Sequence, residues 1–293
     1  MNKLLLAALT MLATPAFAQT EIAPRIFRIT SSHTSFPDTG RAKGHRYDNV
    51  SYMAAEHYND STVLIVVPPQ LKLEKHVDMI FWFHGWRNNI DSAAAYFELI
   101  KQFMAAKRNA ILVLPETTKN APDSYGGKLE QKNMFGQLLQ DVLDELKKQK
   151  ITGKRTEAGN IVLAGHSGAF RVMAYILQNG GVEVKEIILF DGLYSQVDKF
   201  SKWIQANRSH RFLNVYTNKG GGTDAVSVEM MQLLRDKNIH FINPEEKEVN
   251  ATMLKQNNIV FIHSLKEHND VINRPDQNFR LFVENSHILK QVY

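Results

Sequence analysis

The chain has no cysteine. That excludes a small scaffold stapled by disulfides, a thiolate nucleophile and a cysteine metal site. Metal-binding patterns are missing too: the eleven histidines contain no His-x-His and no His-Glu-x-x-His spacing, so no metal is expected. Beyond the N-terminus no apolar run approaches the roughly 20 residues that a transmembrane helix needs. Charge of either sign is never concentrated. Lys and Arg total 35 against 30 Asp and Glu, a formal net charge of +5. They are scattered, and no basic block with interleaved aromatics marks a nucleic-acid surface. A basic balance of this size favours anionic surroundings, such as an envelope or lipid surface. There is no internal repeat, and no glycine loop with a P-loop lysine. Gly220-Gly221-Gly222 precedes a helical pattern but lacks that lysine.

What is present begins with an export signal. Lys3 supplies a positive n-region, Leu4 to Leu12 a short apolar core, and Ala16-Phe17-Ala18 a small-x-small cleavage site. Residues 1–18 are therefore expected to be removed before Gln19, which predicts a periplasmic or secreted protein. The remaining residues, 19–293, suffice for one large domain with a substantial core.

That domain alternates apolar runs with helical patterns. Ile26 to Ile29, Thr62 to Val67, Met79 to Phe83, Ala110 to Leu114, Ile187 to Phe190, Phe212 to Thr217 and Asn258 to Ile262 read as strands. Between them, Asp91 is expected to cap a helix whose stripe of Tyr96, Leu99, Ile100, Phe103 and Met104 faces a sheet. Further helices are predicted over Phe135 to Lys148, supported by an Asp144/Lys148 pair, from Asn243-Pro244-Glu245-Glu246, and over Phe279 to Leu289. Residues 31–58 show no period and read as a loop or hairpin covering one edge. Continuous apolar strands alternating with helices predict an α/β fold, a mostly parallel sheet of about eight strands covered on both faces.

One stretch carries chemistry. Asn160 to Ala164 reads as a buried strand, and Val172, Met173, Tyr175, Ile176 and Leu177 as a helix ending at Asn179-Gly180-Gly181. Between them lies Gly165-His166-Ser167-Gly168-Ala169, a serine on a sharp strand-to-helix turn. Such a turn pushes the hydroxyl out of the backbone and aims the following amide at the same space. Ala169 stands where the pattern has glycine, the smallest possible departure.

This motif, the His84-Gly85 turn after an earlier strand and a histidine after the last strand together resemble the α/β-hydrolase superfamily. The likeness runs in element order from Thr62 to the C-terminus. It implies a nucleophile, an acid and a histidine in that chain order, all beyond strand C-termini. Ser167 is then the nucleophile. His268, in Lys266-Glu267-His268-Asn269-Asp270, is the expected base, with His263 at the strand end as runner-up. For the acid, Asp191 is the first choice and Asp224, after the next strand, the alternative. Asp191 also suits a turn before Gly192, and Asp224 also suits a helix start. The oxyanion is expected to meet the backbone amides of Gly168 and Trp86. His84 and Tyr125 are candidate substrate contacts, with residues 122–127 a candidate lid or contact loop.

The resemblance implies an exported serine hydrolase that needs no cofactor and cleaves a carboxylic ester on a small-molecule, lipid or envelope substrate. A peptidase or amidase acting on envelope material, and a silent binding protein that keeps the fold, are the alternatives.

Overall fold

The computed structural model describes residues 23–219, 221–273 and 277–292. The expected export signal at 1–18 lies outside the described residues, as does Gly220.

The chain opens with β1 (Arg25–Thr30), the short hairpin β2 (His45–Tyr47) and β3 (Val50–Tyr52), and one turn of helix, α1 (Ala54–His57). Next come β4 (Thr62–Val67), β5 (His76–Phe83), α2 (Ile90–Tyr96), α3 (Leu99–Ala105), β6 (Ala110–Pro115) and α4 (Met134–Lys148). The second half runs β7 (Glu157–His166), α5 (Phe170–Asn179), β8 (Val184–Phe190), α6 (Val197–Ala206) and β9 (Arg211–Thr217). It closes with α7 (Thr223–Asp236), α8 (Ala251–Gln256), β10 (Ile259–Ser264) and α9 (Asn278–Glu284).

One eight-stranded sheet has the order β1-β4-β6-β5-β7-β8-β9-β10. From β6 to β10 all neighbours are parallel, while β1–β4 and β4–β6 are antiparallel. Apart from the exposed edge strand β1, the strands bury both faces, as their unbroken apolar runs require. Met79, Phe81, Phe83, Ile161, Leu163, Ile187 and Leu189 join the core beneath α4, α5, α6 and α7. Their alternates Ile80, Trp82, Val162, Ala164, Ile188 and Phe190 join the core beneath α2, α3 and α9. At about 1.5–3 kcal/mol for each fully buried large apolar side chain, these two layers dominate the stabilising side of folding. The parallel C-terminal strand ends consequently share one rim, where β5, β7, β8 and β10 deliver the candidate residues.

Several local expectations change. The helix expected from Asp91 is two helices, with Asn89 as the cap through a 2.9 Å bond from Ser92 N–H. The break falls at Phe97, whose carbonyl takes a bond from the Gln102 side chain, and at Glu98, whose φ is 49°. Phe97 thereby turns inward against the His166 ring, while Tyr96 points outward. In α4 the ion pairs are Asp144–Lys147 and Glu145–Lys148 rather than Asp144–Lys148. From Asn243-Pro244-Glu245-Glu246 only a single 3-10 turn follows, Glu246–Glu248, with Glu245 and Glu248 forming a capping box. The chain there runs alongside β10, with His263 N–H donating to the Pro244 carbonyl, and α8 starts after the Asn250 cap. The last helix stops at Glu284 because buried Arg108 collects the carbonyls of Val283, Glu284 and Leu289. Helix α6, passed over in the sequence, buries Val197, Phe200, Trp203 and Ile204. Residues 31–58 do contain a hairpin, turning at Asp48-Asn49 with φ of 47° and 61°. It lies over the active rim rather than along a sheet edge: Tyr47 packs on Trp86 with ring centroids 5.3 Å apart.

Candidate active site

Ser167 stands immediately after β7 with φ of 54°, in the left-handed region that costs a residue with a side chain roughly 1–3 kcal/mol. Close packing on both sides holds that strained turn. A Cβ at Gly85 would lie 2.7 Å from Ser167 Cβ, and one at Gly168 would lie 2.5 Å from the Trp86 indole. Only glycine admits these approaches. Ala169 is buried in the core, its methyl seated over Gly165, so the off-pattern alanine fills space that the elbow already leaves.

Asp191 follows β8, is fully buried and has φ of 42°. Its Oδ2 lies 2.5 Å from His268 Nδ1. Its Oδ1 accepts from Thr217 N–H at 3.1 Å and from the Thr223 hydroxyl. A carboxylate only accepts, so His268 Nδ1 carries the proton and Nε2 is left with its lone pair. Asp224 occupies the first turn of α7, beside the threonine that makes this contact. Thr223, not Asp224, faces Asp191.

The His268 loop is held from below. His166 is buried, and its Nε2–H donates to the His268 carbonyl at 3.1 Å while the two rings lie 4.5 Å apart. Burial, reinforced by the neighbouring His268, pushes the His166 ring down to about 3, so it is neutral at physiological pH. His263 is elsewhere: its ring bonds Glu245 at 3.0 Å and packs on Tyr216.

The loop after β5 comes from the opposite side. His84 does not face the site. It is buried, with Nδ1 2.8 Å from the Gly85 carbonyl and Nε2 2.6 Å from Glu116, so its ring nitrogens are committed to holding the loop. Trp86 lies against Gly168 and donates through Nε1 to Ser124 Oγ at 2.6 Å, which makes the two candidate oxyanion residues neighbours. Arg87 N–H donates to the Ala121 carbonyl, and the next φ-positive position is its own, 54°.

Tyr125 is likewise not free for a ligand. Its hydroxyl donates to Asp38 at 2.8 Å, and its ring lies under the Arg41 and Arg171 guanidiniums. Burial and Asp38 raise this phenol to about 12. With Arg41 bonded to Asp123 at 2.6 Å, residues 122–127 form a cross-linked rim, not a loose lid.

Two contributors escaped the sequence reading. Thr223, whose hydroxyl bonds Asp191, carries less signal in the sequence than the charged Asp224 beside it. Tyr194, three residues past Asp191 on the same strand-end loop, is hydrogen-bonded to Ser167 and packs edge-on to His268. Its position after a parallel strand was the available signal. No group of three or more metal-ligating side chains exists among the described residues.

No protein-family model matches the sequence, and no curated protein does. Solved structures do match in shape. A ferulic acid esterase is 11% identical, with 89% of this chain and 98% of that one covered at a TM-score of 0.54. The fluorophosphonate-binding serine hydrolase F of Staphylococcus aureus is 9% identical, covering 90% and 100% at 0.52. An esterase of Pyrobaculum calidifontis is 11% identical, covering 92% and 87% at 0.51. The chain shares the fold of these hydrolases, an eight-stranded, mostly parallel sheet with helices on both faces.

Proposed function

We propose that the protein is an exported serine hydrolase that cleaves a carboxylic ester through an acyl-enzyme intermediate. The observation that carries this reading is the 2.5 Å contact between buried Asp191 and His268 on the rim that holds the strained Ser167 elbow. Ser167 Oγ attacks the ester carbonyl and its proton passes to His268 Nε2. Asp191 keeps His268 in the Nδ1–H tautomer and stabilises the imidazolium. The Gly168 and Trp86 amides receive the oxyanion. Collapse returns the proton from His268 to the departing alcohol, and water then releases the acid by the same steps in reverse order. Ester chemistry is taken by analogy from the esterases and the fluorophosphonate-binding serine hydrolase that share the fold.

A fluorophosphonate probe tests this directly. The expected result is one adduct on Ser167, lost in Ser167→Ala, with turnover on a panel of esters of varied acyl length. An unmodified folded protein that hydrolyses no ester would overturn the reading. Export is tested separately: the N-terminus of protein recovered from the cell envelope or medium should be Gln19, and an intact Met1 would refute cleavage.

A further inference from the structure

We propose that Tyr194 is a further catalytic residue, its hydroxyl donating a hydrogen bond to the leaving-group oxygen while His268 protonates it. The inference rests on the serine-hydrolase reading above.

Placement decides the role. Ser167 sits at the end of β7, between β5 and β8 in the sheet. The oxyanion candidates Trp86 and Gly168 meet on the β5 side, where a Cβ on Gly168 would touch the indole. Tyr194 comes from the β8 side, on the loop that also carries Asp191. There its hydroxyl is hydrogen-bonded to Ser167, its ring centroid lies 6.4 Å from that of His268, and Phe170 holds its other flank at 5.8 Å. A tetrahedral intermediate on Ser167 Oγ directs its oxyanion to the amides and its leaving group to the histidine. A phenol on the histidine side therefore meets the leaving group and not the oxyanion.

The chemistry balances without a new reactant. On collapse the bond between the acyl carbon and the leaving oxygen breaks, and the electron pair goes to that oxygen. The proton that His268 took from Ser167 follows it. Tyr194 keeps its own proton throughout and supplies only the hydrogen bond. Burial first, then the Asp191 charge, raise its phenol to about 12, so it remains a donor at neutral pH. Such a donor matters most when the leaving alkoxide is strongly basic. The site is thereby suited to esters of aliphatic alcohols rather than only to activated aryl esters.

The test compares wild type with Tyr194→Phe, which removes one oxygen and keeps the ring packing, on acetate esters spanning nitrophenols to simple alkanols. The expected result is a loss in kcat/KM of about ten- to hundred-fold on alkyl esters. The loss should shrink as the alcohol becomes more acidic, giving a steeper dependence on leaving-group pKa than wild type shows. Parallel dependences, or no loss on alkyl esters, would overturn the role; a packing defect would lower every ester equally. A wild-type protein with no turnover and no fluorophosphonate adduct would instead remove the underlying reading, and this proposal with it.

Discussion

His166 donates its Nε2–H to the backbone carbonyl of His268, 3.1 Å away, with the two rings 4.5 Å apart. The residue before Ser167 thus props the loop that carries His268, and its burial, not this bond, keeps its ring neutral. Burial first, then His268, hold it down from 6.5 to about 3. Between those values the unfolded chain binds a proton that the folded one refuses, so stability rises with pH across the window and is lost as pH falls through it. Urea unfolding measured from pH 7 to pH 4 should show that acid loss, and His166→Phe should flatten it. An unchanged slope in the variant would place the acid sensitivity elsewhere.

The two aspartates separate cleanly. In Asp191→Asn the amide oxygen stays with the Thr217 and Thr223 donors and the NH2 faces His268 Nδ1, so the wrong tautomer is favoured and kcat should fall by about 10³–10⁴. Asp224→Asn, on the solvent side of the Thr223 contact, should stay within a few-fold of wild type. Steady-state kinetics on one ester decides it; the reverse ranking would reassign the acid.

Gly85 is where the smallest change should do most. An added methyl would meet Ser167 Cβ at 2.7 Å and the His166 carbonyl at 2.9 Å. Because backbone must move, Gly85→Ala should displace the serine by up to about an ångström, a shift that costs about 10²-fold in rate. Rates of fluorophosphonate labelling report it, provided that circular dichroism shows a folded protein.

Tyr125→Phe should behave as a structural change. Losing the bond to Asp38 should cost about 1 kcal/mol in urea unfolding. KM should be little altered if the hydroxyl is committed to Asp38 as observed. A large rise in KM at unchanged stability would return Tyr125 to substrate binding.

The strands and the turn at Ser167 were legible because each is local. Apolar runs write the strands, and the strand–turn–helix around Ser167 writes the turn. What was not legible depends on contacts between distant segments. Nothing near Phe97 announces that Gln102 and His166 will break the helix there. His84 reads as a loop organiser or a substrate contact, and the choice between them depends on Glu116, thirty-two positions on, which bonds its Nε2. Asp224 drew attention through its charge, while the neighbouring Thr223 hydroxyl, a lesser signal in a sequence, makes the contact to Asp191. Tyr194 is ordinary in sequence and acquires meaning only from Ser167 and His268 beside it.

The ties from Arg41 to Asp123, from Tyr125 to Asp38 and from Trp86 to Ser124 brace the rim around Ser167 from three sides. A mouth already braced in this way leaves little loop ordering to be done when a substrate arrives, so less of the binding energy is lost to entropy. On the serine-hydrolase reading, such a mouth suits an ester that is only one small part of a much larger molecule, with the remainder still outside in solvent.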